Sequence, residues 1–141
     1  DSVDPNSVTL SLYNGNGGGT YGSTYNVGTD LIMEEVGPGY SIYSLALPSN
    51  GLQNGAPDGI ALDISGAVAH FISYEGTITA TGGPAVGLTS EDILLSEGSG
   101  TTADSSLGLS GSGGSPAMFT WTEFIDQATM GDSNNGQVII P

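Results

Sequence analysis

Apolar residues recur at every second position along much of the chain. Val8, Leu10 and Leu12 alternate with Ser7, Thr9 and Ser11, the period of a half-buried strand, so residues 7–13 are predicted to be extended. Asn14-Gly15 and the glycines up to Gly19 then mark a tight turn. Further strands are predicted over 20–27, 31–36 and 40–47, with Gly37-Pro38-Gly39 breaking the chain between the last two. Residues 48–57, with two more Asn-Gly pairs, read as a loop. Ile60, Leu62 and Ile64 alternate through 59–64, Ser65-Gly66 turns the chain and 67–75 returns. That hairpin is expected at the core of the sheet, with 77–81 continuing it. Shorter strands are expected at 93–96, 105–109 and 117–121, and loops at 98–104 and 111–116. Helix signals are few: 84–88 and 122–129 each suit a turn or two. Many short strands with turn signals at roughly 8–12-residue spacing predict an all-β sandwich or barrel.

The 141 residues contain no internal repeat and no dividing linker, so one domain spanning 1–141 is expected. Its two ends are candidate arms, 1–7 and 137–141. The second ends in three β-branched residues, Val138, Ile139 and Ile140. Such a tail is not left free in water; it pairs with its own sheet or adds to another subunit's. These three residues are therefore the candidate assembly positions.

Composition removes whole classes of function. There is no Lys and no Arg, and 15 Asp and Glu leave a net charge of −15. Nucleic-acid binding needs cations to neutralise phosphates, and anionic lipid makes the same demand. A P-loop lysine, an arginine finger and a Schiff base are all impossible. Gly, Ser, Thr and Asn supply 63 residues, a neutral-polar surface expected of an extracellular or cell-surface protein. There is no cysteine, hence no disulfide or thiol chemistry. No stretch approaches the ~20 apolar residues of a membrane span, so no membrane insertion is expected. No N-linked sequon occurs, and the hydroxyl-rich loops leave O-linked glycan open.

Candidate chemistry is sparse. His70 is the only histidine and reads as structural, with no evident partners for a triad or zinc site. Glu34-Glu35 and Glu91-Asp92 are adjacent carboxylates, which point to opposite faces of a strand and make poor glycosidase dyads. No G-x-S-x-G occurs. Calcium is the cofactor left open. Asp132-Ser133-Asn134-Asn135-Gly136 is rich in oxygen donors but departs from an EF-hand loop in ligand spacing and lacks its closing Glu. Asp58, with Asp63 or Glu75 near it, is a second place for an ion. The candidate calcium ligands are thus Asp58, Asp132 and Asn134. Trp121, two residues from Phe119, reads as core, and Tyr13, Tyr21, Tyr25, Tyr40 and Tyr43 as cross-strand partners or sugar platforms. No catalytic residues are expected.

Longer motifs carry a resemblance. Ser49-Asn50-Gly51-Leu52-Gln53-Asn54-Gly55-Ala56-Pro57-Asp58-Gly59-Ile60-Ala61-Leu62 is followed by His70-Phe71-Ile72-Ser73-Tyr74-Glu75-Gly76 and by Thr79-Ala80-Thr81-Gly82-Gly83-Pro84-Ala85. Then come Gly87-Leu88-Thr89-Ser90-Glu91-Asp92-Ile93, Leu107-Gly108-Leu109-Ser110-Gly111 and Phe119-Thr120-Trp121. In order and spacing this run, from about Val8 to Gln137, resembles the bacterial branch of the lamin-tail domains. The resemblance implies an immunoglobulin-like β-sandwich of about 7–9 short strands, non-catalytic, in secreted or surface proteins that often carry a nuclease or phosphatase domain. Family members place two strands before the one ending in Leu-Tyr-Asn-Gly; here Leu12-Tyr13-Asn14-Gly15 comes too early for them. A sandwich lacking strands exposes an edge. The expectation is therefore a non-catalytic extracellular homo-oligomer, a filament or surface layer built by strand donation between subunits. Two alternatives stand beside it: an accessory module of a larger secreted nuclease or phosphatase, and a calcium-dependent adhesion or sugar-binding domain.

Overall fold

The computed structural model describes residues 3–53, 55–96 and 101–141. The described residues are mostly strand: β1 Val8–Asn14, β2 Thr20–Asn26, β3 Ile32–Gly37, β4 Tyr40–Ser44, β5 Asp58–Ile64, β6 Ala67–Tyr74, β7 Glu91–Asp92, β8 Ser106–Gly113, β9 Phe119–Phe124 and β10 Gln137–Ile139. Helix is confined to one α turn, Val27–Asp30, and two 3-10 turns, Pro5–Ser7 and Pro116–Met118. The protein is therefore all-β, with several sheets and no long helix, as the alternation predicts. Contacts gather it into two compact units. One holds the chain up to Leu31 together with Leu45–Ser96; the other joins Ile32–Ser44 to the C-terminal third.

The first unit is a five-stranded sheet in the order β2-β1-β5-β6-β7. Its centre is the expected β5–β6 hairpin, in which Ile60 faces Ile72 and Ala61 faces Phe71. Ser65 and Gly66, both at positive φ (53° and 89°), make the turn, whose backbone twist matches that of the strands. The Asp63 carboxylate braces it by accepting the Gly66 N–H at 3.0 Å.

The face that is fully buried is not the one the alternation marks. Ile60, Leu62 and Ile64 are only half-buried, whereas Gly59, Ala61 and Asp63 between them are buried. The core holds Tyr13, Ala61 and Phe71 with Ile78, Ala80 and Ala85, and the Tyr13 and Phe71 rings meet at 4.9 Å between centroids. Two large rings on one face require small neighbours, and Ala61 and Gly59 provide them. A Cβ at Gly59 would press on the Ile72 carbonyl.

No ladder strand forms over the predicted 77–81. Apart from a single bridge, Thr79 to Thr89, the segment covers the core as a loop. Tyr13 ties it down: its hydroxyl donates to the Gly82 carbonyl (2.9 Å) and accepts the Ala85 N–H (3.0 Å). The buried Ser90 hydroxyl accepts the Ile78 N–H at 2.8 Å and bonds the Ser73 hydroxyl at 2.6 Å. The predicted helical turn at 84–88 is one tight turn, closed by Leu88 N–H on the Ala85 carbonyl at 2.9 Å. The next strand, β7, falls on Glu91–Asp92 and runs parallel to β6, two residues before the predicted one.

The second unit contains the two-stranded β3–β4 sheet and a three-stranded sheet in the order β10-β8-β9. β8 and β9 are antiparallel, with Leu109 opposite Trp121 and Gly111 opposite Phe119. β8 runs on into the predicted loop at 111–116, and β9 takes Thr122–Phe124 from the predicted helical turn at 122–129. Cross-strand pairing outweighs local propensity at both places. Of this unit's large apolar side chains, only Phe124 is fully buried among the described residues.

Candidate functional site

Both candidate arms lie in the chain's own fold. Pro5–Ser7 is a 3-10 turn capped by Asp4, whose carboxylate accepts the Asn6 N–H at 2.9 Å. The Asn6 and Ser7 carbonyls accept from the Asn26 amide (2.8 Å) and the Ser65 N–H (2.9 Å). Asp1 and Ser2 lie outside the described residues.

At the other end, Gln137, Val138 and Ile139 pair in parallel with Gly111, Ser112 and Gly113, and the Ile140 N–H continues the pairing onto the Gly113 carbonyl at 2.9 Å. β10 is thus an edge strand of three residues. Its alternation sends Val138 to the face opposite Gln137 and Ile139. Val138 is 56% exposed, Ile140 53% and Met118, on the 3-10 turn before β9, 58%. No acid occurs between Ser105 and Thr122 or between Ser133 and Pro141, so β8, β10 and that turn carry no acidic side chain.

The calcium candidates fall into both units. Asn134 is committed to structure: its amide donates to the Leu109 carbonyl (3.0 Å) and accepts the Thr129 hydroxyl (3.2 Å). Its side chain lies where a Cβ at Gly108 would stand. Asp132 is exposed and accepts the neighbouring Ser133 N–H at 2.7 Å. Asp58 is 1% exposed; one carboxylate oxygen accepts the Gly55 N–H at 2.8 Å and the other has no hydrogen-bond partner among the described residues. Among the described residues no three His, Cys, Asp or Glu side chains gather into a group able to hold a metal.

Near Asp58, Gln53 is a junction that the sequence does not reveal. Its N–H donates to the Tyr21 hydroxyl (3.0 Å) and its carbonyl accepts the Tyr74 hydroxyl (2.7 Å). Burial pushes the Tyr21 phenol above its ordinary value, with smaller upward contributions from the Asp58 carboxylate and Tyr25. The Gln53 N–H pulls the other way. His70 is exposed on β6, opposite Leu62. Glu34 and Glu35 lie in β3 and are exposed, and Glu91 and Asp92 form β7.

Trp121 is half-buried rather than core. It lines an open groove of about 370 Å³ in the second unit, with Leu107, Leu109 and Met130 as its other apolar walls and Ser106 and Gln137 among its polar ones. β8 supplies Ser106 to Leu109, β9 the indole, and the segments around Thr129 and Asn134 the rest of the lining. Sequence reasoning misses this groove because its walls are far apart in the chain and are joined by the Asn134 bonds. No helix among the described residues is long and apolar enough to cross a membrane. In comparisons with known protein families, curated proteins and solved structures, nothing matched this chain.

Proposed function

We propose that this chain is a non-catalytic structural protein of the cell exterior that associates with copies of itself, the uncharged edge at β10 being the contact. The observation that carries the reading is the conjunction of exposed Val138, Ile140 and Met118 with a stretch of sheet that has no acid in a chain of net charge −15. Like-charged subunits approach most cheaply where neither carries charge, and apolar side chains on an edge strand favour pairing there. Strand donation takes a specific form: a neighbour's tail replaces β10 along Gly111–Gly113 and remakes the same bonds, so the exchange costs little. A head-to-tail exchange that does not close propagates into a filament or layer. The absence of Lys, Arg and Cys and the wealth of hydroxyls support an extracellular setting.

Sedimentation and negative-stain imaging of the whole chain at about millimolar concentration, where even weak contacts populate, test the proposal. Association is expected, V138D with I140D should weaken it by charging the apolar edge, and removal of residues 137–141 should abolish the exchange. A chain that stays monomeric at that concentration in both low and moderate salt would overturn the reading.

A further inference from the structure

We infer that the groove beside Trp121 binds a neutral oligosaccharide. The site shares β10 with the proposed contact but uses its other face: Gln137 lines the groove while Val138 points away from it, and a donated tail brings its own Gln137 to the same place. Its volume of about 370 Å³ lies at the low end of the roughly 300–1,000 Å³ of small-molecule sites.

The lining specifies the ligand class. Trp121 lines the groove together with Leu107, Leu109 and Met130, and an aromatic and apolar lining suits a flat, partly apolar ring. The indole N–H has no hydrogen-bond partner among the described residues, so it is available to an acceptor on the ligand. Gln137 keeps its amide oxygen on the Asn134 N–H at 3.1 Å, which leaves its NH₂ as a donor. No acid and no base lines the groove.

A ligand that stacks one face on an indole, offers hydroxyls around its rim and carries no charge is a pyranose sugar. A cationic ligand would find no carboxylate in the lining to pair with. An anionic one would be repelled by the −15 charge of the chain. The Asn134 bonds to Leu109 and Thr129 hold this part of the lining in place before any ligand arrives, which lowers the ordering cost of binding.

Trp121 is the chain's only tryptophan, so its emission reports on this groove alone. The whole chain is titrated with cellohexaose, xylohexaose, mannohexaose and chitohexaose, with hexagalacturonate as the acidic counterpart, each to about 10 mM, enough to saturate a millimolar site. At least one neutral sugar is expected to shift the emission saturably, and the acidic one is not. Calorimetry with that neutral sugar should show W121A binding roughly tenfold or more weakly. Q137A should weaken it less while keeping the emission shift, and it serves as the lining test should W121A fail to fold. The inference is overturned by any of three results: no emission or heat change with every neutral sugar, equal binding of the acidic sugar, or unchanged affinity in folded W121A or in Q137A.

Discussion

At the scale of single residues, Tyr13 links the sheet to the loop that covers it. It is 0% exposed and serves the buried Ala85 N–H and the half-buried Gly82 carbonyl. Tyr13→Phe keeps the ring on Phe71 but leaves the Ala85 N–H unpaired away from water. The expected cost is about 1–3 kcal/mol, read from urea unfolding with an unchanged m-value. Tyr21 gives the chain an alkaline limit. Because burial raises its folded value, the unfolded chain releases this proton first as the pH rises. Its contribution is whole below the ordinary tyrosine value of about 10 and is lost as the pH climbs through the raised folded one. The melting temperature is expected to fall as the pH rises above about 10, and less steeply in Tyr21→Phe. An equal slope in the two proteins would refute that assignment.

At the scale of elements, the β5–β6 turn has room for improvement. Ser65 sits at φ 53°, a left-handed backbone that Asn tolerates better than Ser. Ser65→Asn should stabilise by roughly 0.5 kcal/mol, visible as a raised denaturation midpoint. This turn also shows what the sequence makes legible. Short-range signals, an alternating run and a Ser-Gly or Asn-Gly reversal, place β1, β2 and the β3 to β6 hairpins within a few residues. Signals that depend on distant partners do not survive the reading. Ala61 and Gly59 look like spacers until Tyr13 and Phe71 occupy the same face, and residues 77–81 look like a strand until Tyr13 fastens the following turn. The parallel pairing of β10 with β8 is invisible too, since nothing local to Val138 announces Ser112. Asn134, read as a metal ligand from its neighbours in sequence, turns out to fasten the wall of a groove. Trp121, read as core, lines that groove.

At the scale of the molecule, the charge has no internal partner. Without Lys or Arg, no strong cation offsets the 15 acids, and the folded chain must bear their repulsion. Screening lengths fall from about 30 Å at 0.01 M salt to about 8 Å at 0.15 M. The melting temperature and the extent of self-association should therefore both rise over that range, the reverse of a protein stabilised by ion pairs. Melting curves and sedimentation across a sodium chloride series check this, and a falling melting temperature would contradict it. The discontinuous second unit has a consequence in time. A ribosome delivers the whole first unit by Ser96, but the hairpin Ile32–Ser44 emerges early and must wait for β8 to β10 to be made. At roughly 5–20 residues per second that wait lasts on the order of five to twenty seconds. For the second half of it the first unit is already complete while the hairpin, whose Ile32 and Met33 stay exposed even in the finished fold, still lacks its partner strands, so it is an apolar segment of the nascent chain open to a chaperone.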